Sequence, residues 1–403
     1  MQTRQRMRPP ARPARVALAA AALLALGGCT TAAPEGGRAA STVPPSAAGN
    51  PVPPAPTTAT GTPPATPPAP TPLPLVHPVG EPVVLTANLD APWSILRLGS
   101  GSTLLSERDT AQVLELLPDG RTRVAGTVPG VHPSGEGGLL GLAVPPAAGT
   151  DASVAWLYAY LTSATDNRVV RMPLTGQPGS YRLGAPDVVL RGIPKAGNHN
   201  GGRIAFGPDG LLYVTTGDAG NSSNAQDRGS LAGKILRMTP TGGVPAGNPF
   251  ATLVYSYGHR NPQGIAWDSS GQLWASEFGQ NTWDELNRIV PGGNYGWPVV
   301  EGTGGASRGF IDPVQQWPTD VASPSGIAIV SDTIFMAGLG GDRLWRIDPS
   351  TGKANDYFVN RFGRLRDVVS GPDATLWFVS NNTDRRGTPA DGDDRLYQVR
   401  VTP

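Results

Sequence analysis

The chain has 403 residues, including 53 glycines, 43 prolines and a single cysteine, so it is long enough for one large all-β domain or two ordinary domains and forms no internal disulfide. The formal net charge is +1, yet five arginines precede residue 16 and no acidic residue precedes Glu35. Without those arginines the acidic residues outnumber the basic ones by four, and because phosphate binding needs a basic face, we exclude nucleic acid as a partner.

The N-terminal segment is typical of an export signal. An arginine-rich stretch is followed by the apolar run Val16–Leu26 and by Leu26-Gly27-Gly28-Cys29, where small residues mark a cleavage point. This stretch resembles the bacterial lipobox, in which the cysteine becomes the lipidated first residue, and the apolar run is short for a transmembrane helix. We therefore predict a lipoprotein-type signal peptide at residues 1–28 and an extracytoplasmic protein held on the membrane through lipidated Cys29. Secretion with an incidental cysteine is the alternative.

Residues 29–77 are predicted to be a disordered tether. They consist mainly of Pro, Ala, Thr, Ser and Gly, so burial of apolar groups cannot offset the entropy lost on ordering. Chains of this composition are extended and partly polyproline II. The segment would hold the following domain away from a membrane surface.

From residue 78 to residue 403 the pattern predicts an all-β domain. Short apolar strands alternate with turns, and helical alternatives near Ser106–Leu117 and Ser230–Leu236 are short and ambiguous. Two motifs recur roughly every 50–60 residues, a period typical of a β-propeller. One is a turn followed by a Leu-aromatic pair, at 206–218, 267–279 and 370–382; the other is a strand with a basic residue that ends at proline, at 234–240, 285–291 and 343–349. About 325 residues at this period correspond to a six-bladed β-propeller of four-stranded antiparallel blades.

One hairpin carries the strongest chemical signal. Pro208-Asp209-Gly210 is a turn sequence, and pairing Gly207 with Leu211 in antiparallel register places His199 and Asp218 at the same end of the hairpin. A carboxylate beside an imidazole fixes its tautomer and raises its basicity, which prepares a general base. The alternative is that His199 only holds the loop by hydrogen bonds.

Two further hairpins extend this end of the domain. Pairing Trp267 with Gln272 brings the loop 259–261 opposite 277–279, and pairing Gly371 with Thr375 brings two arginines opposite 380–382. Because the innermost strands of a propeller run in one direction, these loops are expected to share one mouth, which suits an anionic ligand and proton transfer. Taken singly, each arginine is more simply explained by a bond to a loop carbonyl. The predicted mouth comprises His199, Asp218, His259, Arg260, Asn261, Glu277, Arg364 and Arg366.

These motifs resemble the soluble-type pyrroloquinoline quinone (PQQ)-dependent sugar dehydrogenases, the glucose/sorbosone dehydrogenase family of six-bladed propellers. The resemblance runs from GEGGLLGLAV at 135–144 through NHNGGRIAFGPDG, GHRNPQG, SEFGQNTWDELN, GGNYGWP and GRLRDVV. It is specific because GHRNPQG is followed by GGNYGWP about thirty residues later, in the same order as the other motifs.

The resemblance implies an oxidoreductase that converts the anomeric carbon of aldose sugars to the lactone, with PQQ as hydride acceptor, Ca²⁺ as helper ion and an external electron acceptor. It implies that His199 is the general base, that Asp218 orients it, and that Arg260 steadies charge developing near the quinone. The implied cofactor-binding residues are Glu136, Asn261, Arg364 and Arg366. The implied Ca²⁺ ligands, hard oxygens as Ca²⁺ requires, come from Gly279, Gln280, Glu285 and Tyr295.

Two positions depart from the family pattern. Gly340 and Gly341 stand where glucose-oxidising members carry a cofactor-binding lysine, so PQQ would be held more weakly or differently. Glu136 stands where those members have glutamine, and an acid there would change substrate choice or repel a polycarboxylate. The sequence is therefore closer to the broad-specificity aldose branch of the family.

The sequence lacks the motifs of several other enzyme classes. The chain has no HExxH, no cysteine cluster and no G-x-S-x-G elbow, and it lacks the nicotinamide fingerprint GxGxxG on a strand-to-helix turn. The Asp391–Asp394 stretch is more simply a solvated acidic turn than a second Ca²⁺ site. The alternative function is a non-catalytic extracellular propeller that binds a glycan or a protein at the same mouth. His199 with Asp218 favours the enzyme, and the missing lysine favours the alternative.

Overall fold

The computed structural model describes residues 73–146 and 155–403. Within these residues the chain forms six antiparallel sheets, the blades of a β-propeller, so the predicted all-β, six-bladed fold is confirmed. The predicted signal peptide at 1–28 and the tether from residue 29 to residue 72 lie outside the described residues. In the described part of the chain, no helix is long and apolar enough to cross a membrane.

The strands follow one another blade by blade. Strand β1 (His77–Thr86) precedes the first blade, which contains β2 (Pro92–Arg97), β3 (Thr103–Glu107), β4 (Gln112–Leu116) and β5 (Thr122–Thr127). The second blade contains β6 (Leu139–Ala143), β7 (Ala155–Thr162), β8 (Asn167–Thr175), β9 (Arg182–Leu183) and β10 (Asp187–Ile193). The third blade contains β11 (Ile204–Phe206), β12 (Leu212–Thr216), β13 (Lys234–Met238) and β14 (Val254–Tyr257).

The fourth blade contains β15 (Pro262–Trp267), β16 (Leu273–Glu277), β17 (Trp283–Ile289) and β18 (Gln315–Pro318). The fifth blade contains β19 (Pro324–Val330), β20 (Thr333–Gly338), β21 (Arg343–Ile347) and β22 (Ala354–Tyr357). The sixth blade contains β23 (Leu365–Ser370), β24 (Thr375–Ser380) and β25 (Leu396–Thr402). The helical elements of the described residues are short: α1 (Ser223–Gln226) and the 3₁₀ turns Pro249–Ala251 and Ala306–Arg308.

The ring is closed by its first and last strands. β1 pairs with β25, with His77 opposite Thr402, and completes the sixth blade as its outer strand. The backbone N–H of the buried Val76 also donates to the Thr333 hydroxyl, 2.8 Å away. The folded region therefore begins just before residue 78, within the last residues of the predicted tether.

The ambiguous helical segments are strands. Ser106–Leu117 contains the end of β3 and all of β4, and Ser230–Leu236 runs into β13. Short apolar runs do not distinguish a strand from a buried helix. Here the Asp109-Thr110 turn decides the outcome, because it lets β4 pair back on β3.

Turn residues set the register of the hairpins. Ile204–Phe206 pairs with Leu212–Val214 as the turn sequence predicts, and Gly371 bonds to Thr375 as expected. The innermost strands β2, β6, β11, β15, β19 and β23 contact their neighbours around the axis. The loops that precede them consequently gather at one face.

The second hairpin differs from its prediction by one residue. Trp267 pairs with Leu273, not with Gln272. The Asp268 carboxylate accepts hydrogen bonds from the backbone N–H groups of Ser270 and Gln272, which holds a longer turn. A register shift nearer the mouth restores the expected pairing of β15 with the end of β16.

Candidate active site

His199 and Asp218 meet at the end of the β11–β12 hairpin. His199 Nδ1 lies 2.8 Å from Asp218 Oδ1, and the two residues are only 9% and 1% exposed. His199 has a φ of 55°, in the left-handed region that costs free energy in a residue with a side chain. The proximity predicted from the hairpin register is confirmed.

The Asp218 carboxylate is held from several sides. Its Oδ2 accepts the Trp297 indole N–H at 2.9 Å, and its Oδ1 accepts the Gly220 N–H at 2.8 Å. Burial raises the pKa of Asp218, but the bond to His199, its charge interaction and the other two bonds outweigh burial and hold that pKa below the ordinary value. An ionised Asp218 favours the proton on Nδ1 and leaves Nε2 to accept one.

A cavity of about 330 Å³ lies on the same face. Five arginines and three acidic residues contribute to its wall, so its charge favours an anionic ligand. The side chains of His199 and Asp218 are not part of this wall. The lining residues are Arg108, Glu136, Arg260, Asn261, Gln263, Phe278, Gly279, Gln280, Asp284, Thr319, Ser323, Leu339, Arg364, Arg366, Asp384 and Arg386.

Glu136 connects the cavity to the histidine. Its Oε2 accepts the backbone N–H of His199 at 2.8 Å, and its Oε1 lies 3.0 Å from Arg386 NH1. Both oxygens of this residue, predicted to bind cofactor, are thus engaged within the protein. His199 therefore sits directly behind one wall residue of the cavity.

Arg364 and Arg366 lie together at the cavity wall, where both approach the Asp384 carboxylate. Arg364 NH2 lies 3.0 Å from Asp384 Oδ2, while Arg366 bonds to Asn381 and to the Gln263 side chain. Burial lowers the pKa of Arg366 to about 9. In the described structure, Arg364 Nε is buried without a hydrogen-bond partner. Arg364 can therefore donate a further hydrogen bond to a ligand.

Arg260 and Asn261 enter the cavity from the loop before β15. Arg260 Nε donates to Gln280 Oε1 at 3.0 Å, and its guanidinium lies over the Trp297 ring. Burial lowers the pKa of Arg260. Asn261 Oδ1 accepts the Gly201 N–H at 3.0 Å, so Asn261 also ties the loop after His199 to the cavity.

The other two residues predicted for the mouth lie beneath it. His259 is fully buried, with Nδ1 2.7 Å from Glu277 Oε2 and Nε2 2.8 Å from the Ser256 hydroxyl. Its ring stacks on Tyr295. The prediction that His259 faces the mouth is therefore wrong, because its polar partners are supplied by Glu277 and Ser256. Glu277 does not line the main cavity but lines the small space beside it.

The residues predicted to hold Ca²⁺ are split between two places. Gln280 faces the main cavity, and Glu285 and Tyr295 line a neighbouring space of about 10 Å³. Gly279 lies between the two spaces and lines both. Burial, followed by the charge of Glu277, raises the pKa of Glu285 to about 8. Over the residues that the structure describes, no three His, Cys, Asp or Glu side chains form a metal cluster.

One buried oxygen beside Glu285 is unsatisfied. The Glu285 carboxylate accepts the Gly302 N–H at 2.7 Å and the Asn287 side-chain N–H at 3.0 Å. Asn287 Oδ1 has no hydrogen-bond partner among the described atoms. Two cross-strand acids, Glu277 and Glu285, and a free amide oxygen suit a cation held by oxygens.

The other acidic candidate is satisfied internally. Asp394 accepts hydrogen bonds from the N–H groups of Asn382 and Thr383 and from the Thr383 and Ser380 hydroxyls. These bonds tie the loop between β24 and β25. Asp394 is fully buried, so the expectation of a solvated acidic turn is wrong at this residue, because its carboxylate finds its donors inside the protein.

Sequence reasoning missed several residues of this site. Except for Gln263, which lies in β15, they come from loops without a recognisable turn sequence, so no register could place them. Trp297 follows the GGNYG stretch, where its aromatic neighbour was the only signal. These residues are Arg108, Gln263, Trp297, Asp384 and Arg386.

Residues 89–388 match the family model described as Glucose / Sorbosone dehydrogenase. The chain belongs to this family. The PQQ-bound aldose sugar dehydrogenase of Streptomyces coelicolor is 51% identical, with a TM-score of 0.76 over 81% of this chain and 98% of that chain. The family resemblance inferred from the motifs is confirmed.

Two curated relatives extend the comparison. The uncharacterized protein slr1608 of Synechocystis sp. is 33% identical over 347 residues, which cover 73% of this chain and 82% of the relative. The aldose sugar dehydrogenase YliI of Escherichia coli is 29% identical over 335 residues, covering 74% of this chain and 90% of the relative. The similarity thus spans nearly the whole propeller.

Proposed function

We propose that the protein is a PQQ- and Ca²⁺-dependent aldose dehydrogenase that oxidises the anomeric carbon of a sugar to the lactone. The observation that carries the proposal is the buried His199–Asp218 pair directly behind a cation-rich cavity. Family membership and the PQQ-bound Streptomyces coelicolor relative support the same chemistry.

The cavity fits a flat polycarboxylate such as PQQ. Its volume of about 330 Å³ lies within the usual range of small-molecule sites. Arg364 and Arg366 are the residues that would grip carboxylates, since guanidinium groups bind them in pairs of charge-assisted bonds. The unpartnered Nε of Arg364 supports this assignment, with Asn261 and Glu136 completing the wall.

The chain supplies proton transfer and positioning. His199 Nε2 takes the proton of the anomeric hydroxyl, while Asp218 holds the ring by its Nδ1–H and stabilises the imidazolium that forms. Arg260 lines the cavity, its backbone carbonyl accepts the Asp218 N–H at 2.8 Å, and its guanidinium opposes developing negative charge. Bound PQQ supplies the hydride acceptor, and an external acceptor removes the electrons afterwards.

Ca²⁺ is proposed to bind near Glu285. Carbonyl oxygens of Gly279, Gln280 and Tyr295 with the Glu285 carboxylate would supply its ligands. A cation there would offset the repulsion between Glu277 and Glu285 and satisfy Asn287 Oδ1. Its role would be to hold the loop that carries Gln280 against Arg260.

A non-catalytic glycan- or protein-binding propeller is the second candidate. Gly340 and Gly341 favour it, because they supply no side-chain cation where the family's lysine would stand, although Arg364 donates to the nearby Leu339 carbonyl at 3.1 Å. The two candidates differ in one experiment: PQQ and Ca²⁺ are added to the apo-protein, and dye reduction is followed with a panel of aldoses. Turnover that depends on both additions is expected, and a protein that binds sugar without turnover would favour the second candidate.

We further propose that residues 1–28 direct export and that lipidated Cys29 anchors the protein on the outer side of a membrane. The arginine-rich start and the Leu26–Cys29 stretch support this. Labelling with radioactive palmitate in a bacterial host is expected to mark the wild type and not Cys29→Ser. Equal labelling of the two would contradict the anchor.

A further inference from the structure

A buried lysine lies on β13, opposite Thr216 at the end of β12, which is close in sequence to Asp218 of the proposed catalytic pair. Lys234, the first residue of β13, is fully buried. Its Nζ donates to the backbone carbonyls of Asn224 at 2.6 Å, Ala232 at 2.7 Å and Ala225 at 3.2 Å. Three acceptors match the three N–H groups of an ammonium.

The surroundings of Lys234 are almost uncharged. Burial lowers the pKa of Lys234 to about 8, and the charge of Asp227 opposes that shift. The lysine is therefore mostly charged at neutral pH. Its partners are carbonyls rather than a carboxylate, so the ammonium acts on the backbone of one segment, as a bound metal ion would.

That segment is α1 and the loop around it. A helix of four residues cannot sustain itself, and its last carbonyls need partners from outside. Lys234 supplies them at Asn224 and Ala225. Without the ammonium, these carbonyls would keep only the backbone N–H groups of Asp227 and Gly258 and would lose their charged donor, which is costly.

Two sets of hydrogen bonds connect α1 to Asp218. The Asn224 side chain donates to the Asp218 backbone carbonyl at 2.9 Å. The Gln226 side chain donates to the Trp297 carbonyl at 2.7 Å, and the Trp297 indole in turn donates to Asp218 Oδ2 at 2.9 Å. Both the backbone and the carboxylate of Asp218 thus depend on the position of α1.

We propose that Lys234 is a positioning residue for the catalytic pair. Its ammonium fixes α1, so that Asn224 and Trp297 hold Asp218 against His199. The proposal rests on the proposed function only for the role given to His199. The contact between Asp218 and His199 is observable in the apo-protein and does not need that role.

The test compares Lys234→Met with Met238→Ala by NMR of the apo-protein. Lys234→Met keeps an unbranched buried side chain but removes the three donors. Met238 is fully buried farther along β13 and makes no hydrogen bond to α1 among the described residues, so Met238→Ala controls for lost stability. The signals are the His199 Nδ1–H proton and the Trp297 indole N–H, assigned by their absence in His199→Ala and Trp297→Phe.

Lys234→Met is expected to shift or broaden both signals, whereas Met238→Ala keeps them although its melting temperature falls. With PQQ and Ca²⁺ added, kcat of Lys234→Met should fall by about 10–100-fold, with PQQ affinity changed less than twofold. Unchanged signals in Lys234→Met would overturn the proposal. If the signals change in Lys234→Met but the wild type has no dehydrogenase activity, the proposal stands and only the proposed function is contradicted.

A second variant covers the case in which Lys234→Met does not fold. Gln226→Met leaves the lysine and its carbonyls in place but cuts the link from α1 to Trp297. It is expected to move the Trp297 indole signal and to lower kcat by a smaller factor than Asp218→Asn. A Gln226→Met protein with wild-type signals would contradict the route through Trp297.

Discussion

At the scale of single residues, His199 is held from two ends. Its backbone has a φ of 55°, a conformation that costs about 1–3 kcal/mol in such a residue. The Glu136 carboxylate accepts its backbone N–H, and the Asp218 carboxylate accepts its ring N–H. The strained backbone and the fixed ring are together what a preorganised base requires.

Asp218→Asn tests the orientation of the ring. The amide can still bond to His199 but cannot stabilise its protonated form, so activity should fall by less than in His199→Ala. The rate–pH profile of reconstituted Asp218→Asn should also change. An activity and profile identical to the wild type would show that Asp218 is not needed.

The ionisation of Asp218 also makes the free energy of unfolding depend on pH. Because the folded pKa of Asp218 is below the unfolded value of about 3.9, its contribution is present above pH 4 and is lost as the pH falls through the folded pKa. Urea unfolding at a series of pH values should show a weaker acid dependence in Asp218→Asn. An unchanged slope below pH 4 would contradict this account.

Arg364→Ala tests the grip on the cofactor. The variant removes a charge-assisted donor at the cavity wall, so PQQ affinity should fall by about tenfold or more, while single-turnover rates of the loaded protein fall less. Arg237→Ala is a matched control, since Arg237 pairs with Asp209 away from the cavity. Equal PQQ affinity in the two variants would remove Arg364 from the cofactor site.

At the scale of elements, turn chemistry decided what could be predicted. The Pro208-Asp209-Gly210 turn fixes one register, and this alone brings His199 to Asp218. The Asp268 side chain lengthens the next turn by bonding to backbone N–H groups, which residue spacing cannot reveal. The sequence also does not show which polar residues are buried. His259 can be fully buried because its ring forms a hydrogen bond with the Glu277 carboxylate.

Loop residues of the site were the least predictable. Arg108 enters the cavity from a loop of the first blade, and Asp384 and Arg386 enter it from one loop of the sixth blade. Their positions depend on how the blades pack around the axis, and no local pattern encodes that packing. The fold and the catalytic pair were therefore predictable, whereas much of the cavity wall was not.

Gly217→Ala tests the end of the hairpin. An added Cβ at Gly217 would lie 2.0 Å from the His199 carbonyl oxygen, so the strand end must move away from the loop of the base. Overpacking of this kind costs about 1–3 kcal/mol, and activity should fall with stability. Gly99→Ala is the control, because no described atom lies within 4 Å of its added Cβ.

At the scale of the whole molecule, the ring holds its loops in fixed relation. Strand β1 joins the last blade to the start of the domain, and each inner strand contacts its neighbours. Residues from blades one, four, five and six, and Glu136 from the loop between blades one and two, thus meet at one cavity. A cation at Glu285 would add a further constraint on the loop between β16 and β17.

Chelation tests that constraint. Since a ligand bound only by the native state stabilises it, EGTA should lower the melting temperature of the wild type, and excess Ca²⁺ should restore it. Glu285→Ala should lose most of this shift, while Asp312→Ala, outside the predicted ligand set, should keep it. A wild-type melting curve that is insensitive to EGTA would count against the Ca²⁺ site.

The most direct test of the central claim is single-turnover reduction of PQQ by an aldose in the His199→Ala protein, followed in a stopped-flow spectrometer. Loss of a general base commonly costs about 10²–10⁴ in rate, so reduction should slow by at least that order while PQQ remains bound. Reduction at the wild-type rate would contradict the assignment of His199 as the base and leave its hairpin as scaffold.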